Sequence, residues 1–274
     1  MTDHPTPKKP EPDSTVKGAL KAKIDSGLLR SSGVVSFFTM LSRVMGLIRD
    51  IVLARVIGAE ALADVFFVAF KIPNFFRRLF AEGAFAQAFV PVLGEYREKG
   101  TQAALKELTD RVFGTLGLSL FLLTLVIILA APLMAGLFAP KWYLNDPFKF
   151  NATAEMLRIT FPYLMFISMT GVAGGILNSY DRFAVPAFTP ILLNISMIFA
   201  ALIAAPWFDE PAYALAWGVF AAGLLQFIFQ LPFLARIHML PQPRIDWRHP
   251  GVRKILGLMG PAIFGVSVSQ INLL

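Results

Sequence analysis

The chain has 274 residues, of which 56% are hydrophobic and only 16% are charged, which is too apolar for an ordinary soluble domain. Its net charge of +7 is explained by the lysines and arginines that inner-membrane proteins collect in cytoplasmic loops, so we expect no nucleic acid partner. The chain contains no cysteine, which excludes a disulfide framework, a cysteine-ligated metal and a thiol nucleophile.

The N-terminal segment, residues 1–26, is polar and places four prolines among lysines and acidic residues. A segment of this composition cannot bury enough apolar surface to order itself, so we predict a disordered cytoplasmic tail. The apolar region begins late and is interrupted by arginines, which is not the pattern of a cleaved signal peptide. Residues 27–274 are predicted to form a transmembrane helical bundle.

Apolar stretches follow one another along this bundle and predict an all-α polytopic membrane protein with about seven transmembrane helices. Three windows, 112–140, 183–208 and 211–235, contain no charged residue, and each exceeds the roughly 20 residues needed to cross a bilayer. The predicted spans are 29–57, 61–92, 112–138, 152–180, 186–206, 213–234 and 252–274.

Lysine and arginine dominate every second connection between these spans, beginning with the N-terminal tail. By the positive-inside rule, the N-terminus is predicted to be cytoplasmic. The last span reaches Leu274 without a flanking polar segment. We therefore expect the chain to be the N-terminal part of a longer transporter.

Charged and polar side chains recur inside the first two spans, where an unpaired charge is costly in lipid. They are Arg43, Arg49 and Asp50 in the first span, and Asp64, Lys71, Asn74, Arg77, Arg78 and Glu82 in the second. Most of those in the second span recur every three or four residues and form one stripe, with Asp64 nearer the outer mouth. We interpret the set as the lining of a wet, mainly cationic cavity for an anionic cargo. Arginine offers a fork that matches phosphate oxygens, which favours a phosphate-bearing ligand.

The first two spans are expected to form a hairpin that reverses near residue 59, which brings residues equally distant from the turn to equal depth. Arg43 would then lie within reach of Asn74, Arg77 and Arg78. Lys71 would lie near the pair Arg49 and Asp50. The alternative is structural: neighbouring acids neutralise the cations, or the arginine side chains extend to the membrane interface.

Isolated features elsewhere have two interpretations each. Pro73 predicts a bend in the second span, which either borders a gate or is a static kink. Asn194, Gln226 and Gln230 each lie alone in apolar helices, where hydrogen bonds between helices are the usual role and cavity lining the alternative. No metal-ligand cluster, nucleotide-binding glycine loop or catalytic constellation is recognisable, so no cofactor and no enzyme activity are expected.

Five segments resemble the MurJ/MviN family of lipid II flippases, which belongs to the multidrug/oligosaccharidyl-lipid/polysaccharide (MOP) exporter superfamily. They are SRVMGLIRD (42–50), ADVFFVAFKIPNFFRRLFAEGAFAQAFVPVL (63–93), ITFPY (159–163), PAFTPILLNISM (186–197) and GPAIFGVSVSQIN (260–272). The resemblance covers nearly all of the chain after the tail.

The resemblance implies two helical bundles around a V-shaped cavity that opens alternately to each side, of which this chain supplies the N-terminal one. It implies transport of lipid II, an undecaprenyl-diphosphate carrying a disaccharide-pentapeptide, across the bacterial inner membrane for peptidoglycan synthesis. The resemblance implies that functionally required charges fall here on Arg43, Arg49, Asp50, Asp64, Arg77 and Glu82. Because a charged headgroup crosses the membrane, we expect transport to be coupled to a counter-ion or to the membrane potential. We also expect the bundle to contact membrane lipids.

Other functions stay open. A flippase for another polyprenyl-linked oligosaccharide would share the cationic cavity, whereas a cationic-drug exporter would need net acidic residues there. A membrane enzyme acting on lipid phosphates would need clustered acids or a nucleophile with its base at one membrane face. A non-transporting scaffold for cell-wall enzymes would function without the cavity charges.

Overall fold

The structure, a computed structural model, describes residues 14–58 and 61–271, with side chains for 32–58, 62–79 and 83–267. The described residues form eleven α-helices and no strand. The helices are α1 Ser14–Ile57, α2 Ala61–Phe76, α3 Ala86–Lys99, α4 Gln102–Leu129, α5 Ala131–Phe138, α6 Pro140–Asn145, α7 Pro147–Thr160, α8 Tyr163–Ser179, α9 Ala184–Phe199, α10 Pro211–Arg236 and α11 Pro250–Ile271. A π-helical segment, Arg77–Phe85, joins α2 to α3, and a shorter one, Ala200–Ala204, follows α9. The predicted all-helical architecture is confirmed.

Four helical stretches are long and apolar enough to cross a membrane: Gln102–Leu129, Pro147–Ser179, Ala184–Trp207 and Pro211–Arg236. They correspond to the predicted spans at 112–138, 152–180, 186–206 and 213–234. The other three predicted spans fall on α1, on α2 with α3, and on α11, which are helical but do not belong to these four.

Several boundaries differ from the sequence prediction. Helix α1 begins at Ser14 and so extends through residues 14–26, which the sequence assigns to a disordered tail; residues 1–13 lie outside the described residues. Helix α4 begins ten residues before the predicted span because the Thr101 hydroxyl caps it, accepting from the Ala104 N–H at 3.2 Å. The fourth span is divided at the turn before α8, where Pro162 precedes the first residue of the new helix.

The predicted packing of the first two spans as a hairpin is wrong. Helix α1 packs mainly against α9, and α2 packs mainly against α7. Near the turn, residues of both helices belong to one apolar cluster, among them Leu53 and Ile57 of α1 and Val65 and Phe66 of α2. Each helix buries its apolar face against a different partner, and among the described side chains no contact joins Arg43 or Arg49 to a charged residue of α2.

The loop between α10 and α11 is hydrogen-bonded to α4. The buried Asp110 carboxylate accepts from the Gln242 N–H at 2.7 Å and from Lys106, while the Asp110 carbonyl accepts from the Arg244 N–H at 3.0 Å. Gly114 lets the loop approach, since a Cβ there would collide with the backbone of Arg244. The loop is therefore a packed part of the bundle.

Candidate functional site

Arg49 is the best-anchored cation of the candidate site. Its guanidinium donates to the Asp50 carboxylate at 2.7 Å and 3.0 Å, and its Nη1 donates to Asn194 Oδ1 at 3.0 Å. The Asn194 amide in turn donates to the carbonyl of Ser42 at 3.0 Å. Asp50 is 64% exposed while Asn194 is 4% exposed. The Arg49–Asp50 ion pair is therefore exposed at the carboxylate, while the buried Asn194 of α9 binds the guanidinium.

Gly46 belongs to the same arrangement. It lies on α1 between Ser42 and Arg49, and a Cβ built at Gly46 would lie 4.0 Å from both terminal atoms of Asn194. Gly46 therefore lies directly beside this amide, at a distance where an added methyl group would make ordinary van der Waals contact. Asn194, which the sequence presents as a lone polar residue in an apolar helix, thus links α1 to α9 and orients Arg49.

Arg77 and Asn74 form a second anchored pair. Arg77 Nε donates to Asn74 Oδ1 at 3.2 Å, and the Asn74 amide donates to the carbonyl of Phe70 at 3.0 Å. Arg77 is partly buried and begins the π-helical segment. Such segments are rare and frequently occur at functional sites because they re-aim the side chains they carry.

Pro73 leaves α2 helical but removes one backbone hydrogen bond. Because proline has no N–H, the carbonyl of Ala69 loses its helical partner. The hydroxyl of Thr160 on α7 donates to that carbonyl at 3.1 Å. The Ala69 carbonyl thus receives its hydrogen bond from the neighbouring helix. The departure from α-helical geometry lies further on, in the π-helical segment Arg77–Phe85.

Three predicted site cations are exposed. Arg43, Lys71 and Arg78 make no hydrogen bond or ion pair with any residue whose side chain the structure describes. Asp64 is 70% exposed and contacts Lys149 of α7 at 3.4 Å, so it is not joined to the other predicted residues. Glu82 lies in the π-helical segment, and its side chain is outside the described set.

A cavity of about 580 Å³ lies among α3, α8, α9 and α10. Arg77 lines it together with Tyr163, Asn178, Gln226 and Gln230. An adjoining cavity of about 540 Å³ shares part of that wall and reaches the C-terminal turn of α3. The structure therefore brings one predicted site residue, Arg77, into the same cavity as two glutamines that the sequence left as lone polar residues.

Across the described residues, no group of three or more histidines, aspartates or glutamates is arranged to hold a metal ion. The site as described combines guanidinium groups, amides and the ammonium group of Lys71 with the exposed carboxylates of Asp50 and Asp64. The cationic and amide groups can bind anions and neutral hydrogen-bonding ligands.

Residues 53–274 match the family model described as "Lipid II flippase MurJ". The chain belongs to the MurJ family. Among its relatives are the "Probable lipid II flippase MurJ" of Vibrio cholerae, 49% identical over 257 residues, and that of Haemophilus influenzae, 50% identical over 242 residues. These alignments cover 92% and 86% of the chain, and 49% and 48% of the relatives. The "Lipid II flippase MurJ" of Burkholderia cenocepacia is 45% identical over 251 residues, 90% of the chain and 48% of that protein.

The fold agrees with this membership. A solved structure titled "Lipid II flippase MurJ, inward closed conformation" superposes with a TM-score of 0.70 at 26% identity, covering 87% of the chain and 48% of that structure. The chain thus spans about half the length of the MurJ relatives that it matches. Family membership and the apolar helices make it a multi-pass inner-membrane protein.

Proposed function

We propose that this chain forms the N-terminal bundle of a lipid II flippase, which moves an undecaprenyl-diphosphate-linked disaccharide-pentapeptide from the inner to the outer leaflet. Family membership supports the cargo, since the relatives carry the name lipid II flippase. The single structural observation in its favour is the surplus of exposed cations, Arg43, Lys71 and Arg78, that no described acid neutralises.

In this proposal the cargo-contacting residues are Arg43, Arg49, Asp50, Asp64, Lys71, Asn74, Arg77, Arg78 and Glu82. A diphosphate loses its hydration when it leaves water, and guanidinium groups replace that hydration with paired hydrogen bonds. Asn194 and Asn74 hold two of the arginines in fixed positions, which lowers the entropy lost when the ligand binds.

Transport follows alternating access. The polyprenyl chain stays in lipid, while the headgroup occupies the wet interior and is carried across as the bundle rocks against a second bundle. The N-terminus and residues 1–26 lie on the cytoplasmic side, and residues 27–274 form the membrane bundle. Charge movement couples the cycle to a counter-ion or to the membrane potential. The chain performs no covalent chemistry on its cargo.

The direct test uses the intact protein in vesicles that contain lipid II in one leaflet. We expect protein-dependent appearance of lipid II in the opposite leaflet, and no comparable transport of a polyprenyl-linked O-antigen unit. Transport of the O-antigen lipid alone would show that this lipid, and not lipid II, is the cargo. Transport of neither lipid would overturn the proposed function.

A further inference from the structure

Two glutamines of α10 line the larger cavity. Gln226 and Gln230 are spaced one helical turn apart, and their exposed fractions are 2% and 1%. The Gln226 Nε2 donates to the carbonyl of Thr189 on α9 at 2.8 Å, whereas its Oε1 has no partner within the part of the chain that the structure describes. Neither polar atom of the Gln230 amide has a hydrogen-bond partner among the described residues.

An unpaired buried amide is unfavourable, costing about 1–3 kcal/mol by comparison with protein mutants. Gln226 holds α10 to α9, so its burial has a structural reason. Gln230 makes no such link within the described bundle, and an apolar side chain of the same size would fill the position at lower cost. Its presence at a cavity wall therefore points to a ligand.

Small residues of α8 line the same cavity as Gln230. Gly171, Gly174 and Gly175 of α8 line the cavity, and a Cβ at Gly174 would lie 3.9 Å from Gln230 Oε1 and 3.3 Å from Pro186. A side chain there would narrow the space in front of the amide. The glycines thus leave space beside this amide, whose own polar atoms are almost fully covered by the surrounding helices.

The lining of the cavity combines two kinds of chemistry. Arg77 supplies a positive charge, whereas the glutamines supply neutral donors and acceptors. An amide both donates and accepts hydrogen bonds, so it can pair with hydroxyl and amide groups. A ligand that carries a charged diphosphate next to a sugar–peptide portion matches both kinds of group.

We propose that Gln230, supported by Gln226, binds neutral hydroxyl or amide groups of the sugar–peptide headgroup of a polyprenyl-diphosphate lipid, while the arginines bind its diphosphate. This inference rests on the proposed function. It adds a binding subsite for the uncharged part of the cargo.

The test compares the binding of two lipids to the intact protein in nanodiscs: polyprenyl diphosphate bearing the disaccharide-pentapeptide, and polyprenyl diphosphate alone. Gln230→Leu should weaken binding of the first roughly three- to tenfold, the effect of one or two neutral hydrogen bonds, and leave the second unchanged. Gln230→Met, which keeps the length of the side chain, should behave alike. Neither substitution should lower the thermal stability of the protein.

Thr124→Val is the matched control, since the Thr124 hydroxyl of α4 is also buried without a partner among the described residues but does not line this cavity. It should leave the binding of both lipids unchanged. Wild-type affinities in both Gln230 variants would overturn the inference, as would equal weakening for the two lipids, which indicates a structural role. If the wild-type protein binds neither lipid, the proposed function fails and this subsite with it.

Discussion

Arg49 on α1 donates a 3.0 Å hydrogen bond to Asn194 on α9, although the two residues are 145 positions apart in the chain. The same amide donates to the Ser42 carbonyl, so a single buried side chain joins two helices and orients a cation. A residue placed in this way affects both packing and the position of the charge that it contacts. Measuring both transport and stability in a variant of Asn194 separates the two effects.

Asn194→Ala should reduce transport more than it reduces stability. We expect a loss of about 1–2 kcal/mol in the free energy of unfolding, because two hydrogen bonds are removed from a buried site. Transport should fall at least tenfold, since Arg49 loses its support. Asn151→Ala is the control, because Asn151 is exposed on α7 and makes no hydrogen bond with a described residue. Transport at wild-type rates in Asn194→Ala would contradict the positioning role.

Arg43→Ala should abolish transport while membrane insertion and thermal stability stay near those of the wild-type protein. The reason is that Arg43 is exposed and has no described partner, so it contributes little to folding but is available to an anion. Arg43→Lys should recover only part of the activity, because an ammonium cannot make the paired contact with a phosphate. Transport in vesicles and growth after depletion of the wild-type protein are the measurements.

Arg55→Ala is the matched control for Arg43, since Arg55 is an exposed arginine in the last turn of the same helix. It should support normal growth. Normal growth of the Arg43→Ala strain would refute the assignment of this residue to the cargo site.

The sequence predicts the helices and the charged segments well, because long apolar windows and embedded charges are local properties of the chain. It does not predict which helices pack together. The predicted hairpin rests only on distance from the turn, and it is wrong because α1 and α2 bury their apolar faces against α9 and α7 instead. Among the nine predicted site residues, Arg49 pairs with Asp50 and Arg77 pairs with Asn74. In each pair the two residues are at most three positions apart in the chain.

The residues that support the site were harder to find from the sequence. Asn194, Gln226 and Gln230 were recognisable as amides in apolar helices, but only the structure separates those that bind a carbonyl from the one that does not. Thr160 gave no signal of its own. The missing N–H of Pro73 does predict that some donor must reach the Ala69 carbonyl, and that reasoning could have directed attention to α7.

Gly83→Ala should destabilise the contact between the π-helical segment and α11. A Cβ at Gly83 would lie 2.8 Å from Val266 Cγ1 and 2.8 Å from the carbonyl oxygen of Arg78, closer than van der Waals contact allows. We expect a loss of about 1–3 kcal/mol, measured as a lower thermal unfolding temperature. Val266→Ala should restore part of it, because it removes one of the two collisions.

Gly94→Ala is the control for Gly83, because a Cβ at Gly94 of α3 meets nothing within 4 Å. It should leave stability unchanged or raise it slightly, since alanine favours the helix. Equal stability of the Gly83→Ala and Gly94→Ala variants would contradict the close approach of α11 to this segment.

His249 should make the loop before α11 sensitive to acid. Burial, followed by the nearby Arg111 guanidinium, lowers the pKa of His249 below its ordinary value of 6.5, against the weaker opposite effects of Glu107 and Asp246. The unfolded chain therefore binds a proton more readily than the folded one, so stability is lost as the pH falls below 6.5. Replacing His249 with glutamine should flatten the dependence of the unfolding temperature on pH between about 7 and 5. His238→Asn, at an exposed position of the same loop with a φ of 57°, should keep the wild-type dependence, and an unchanged profile in His249→Gln would show that other groups control the response.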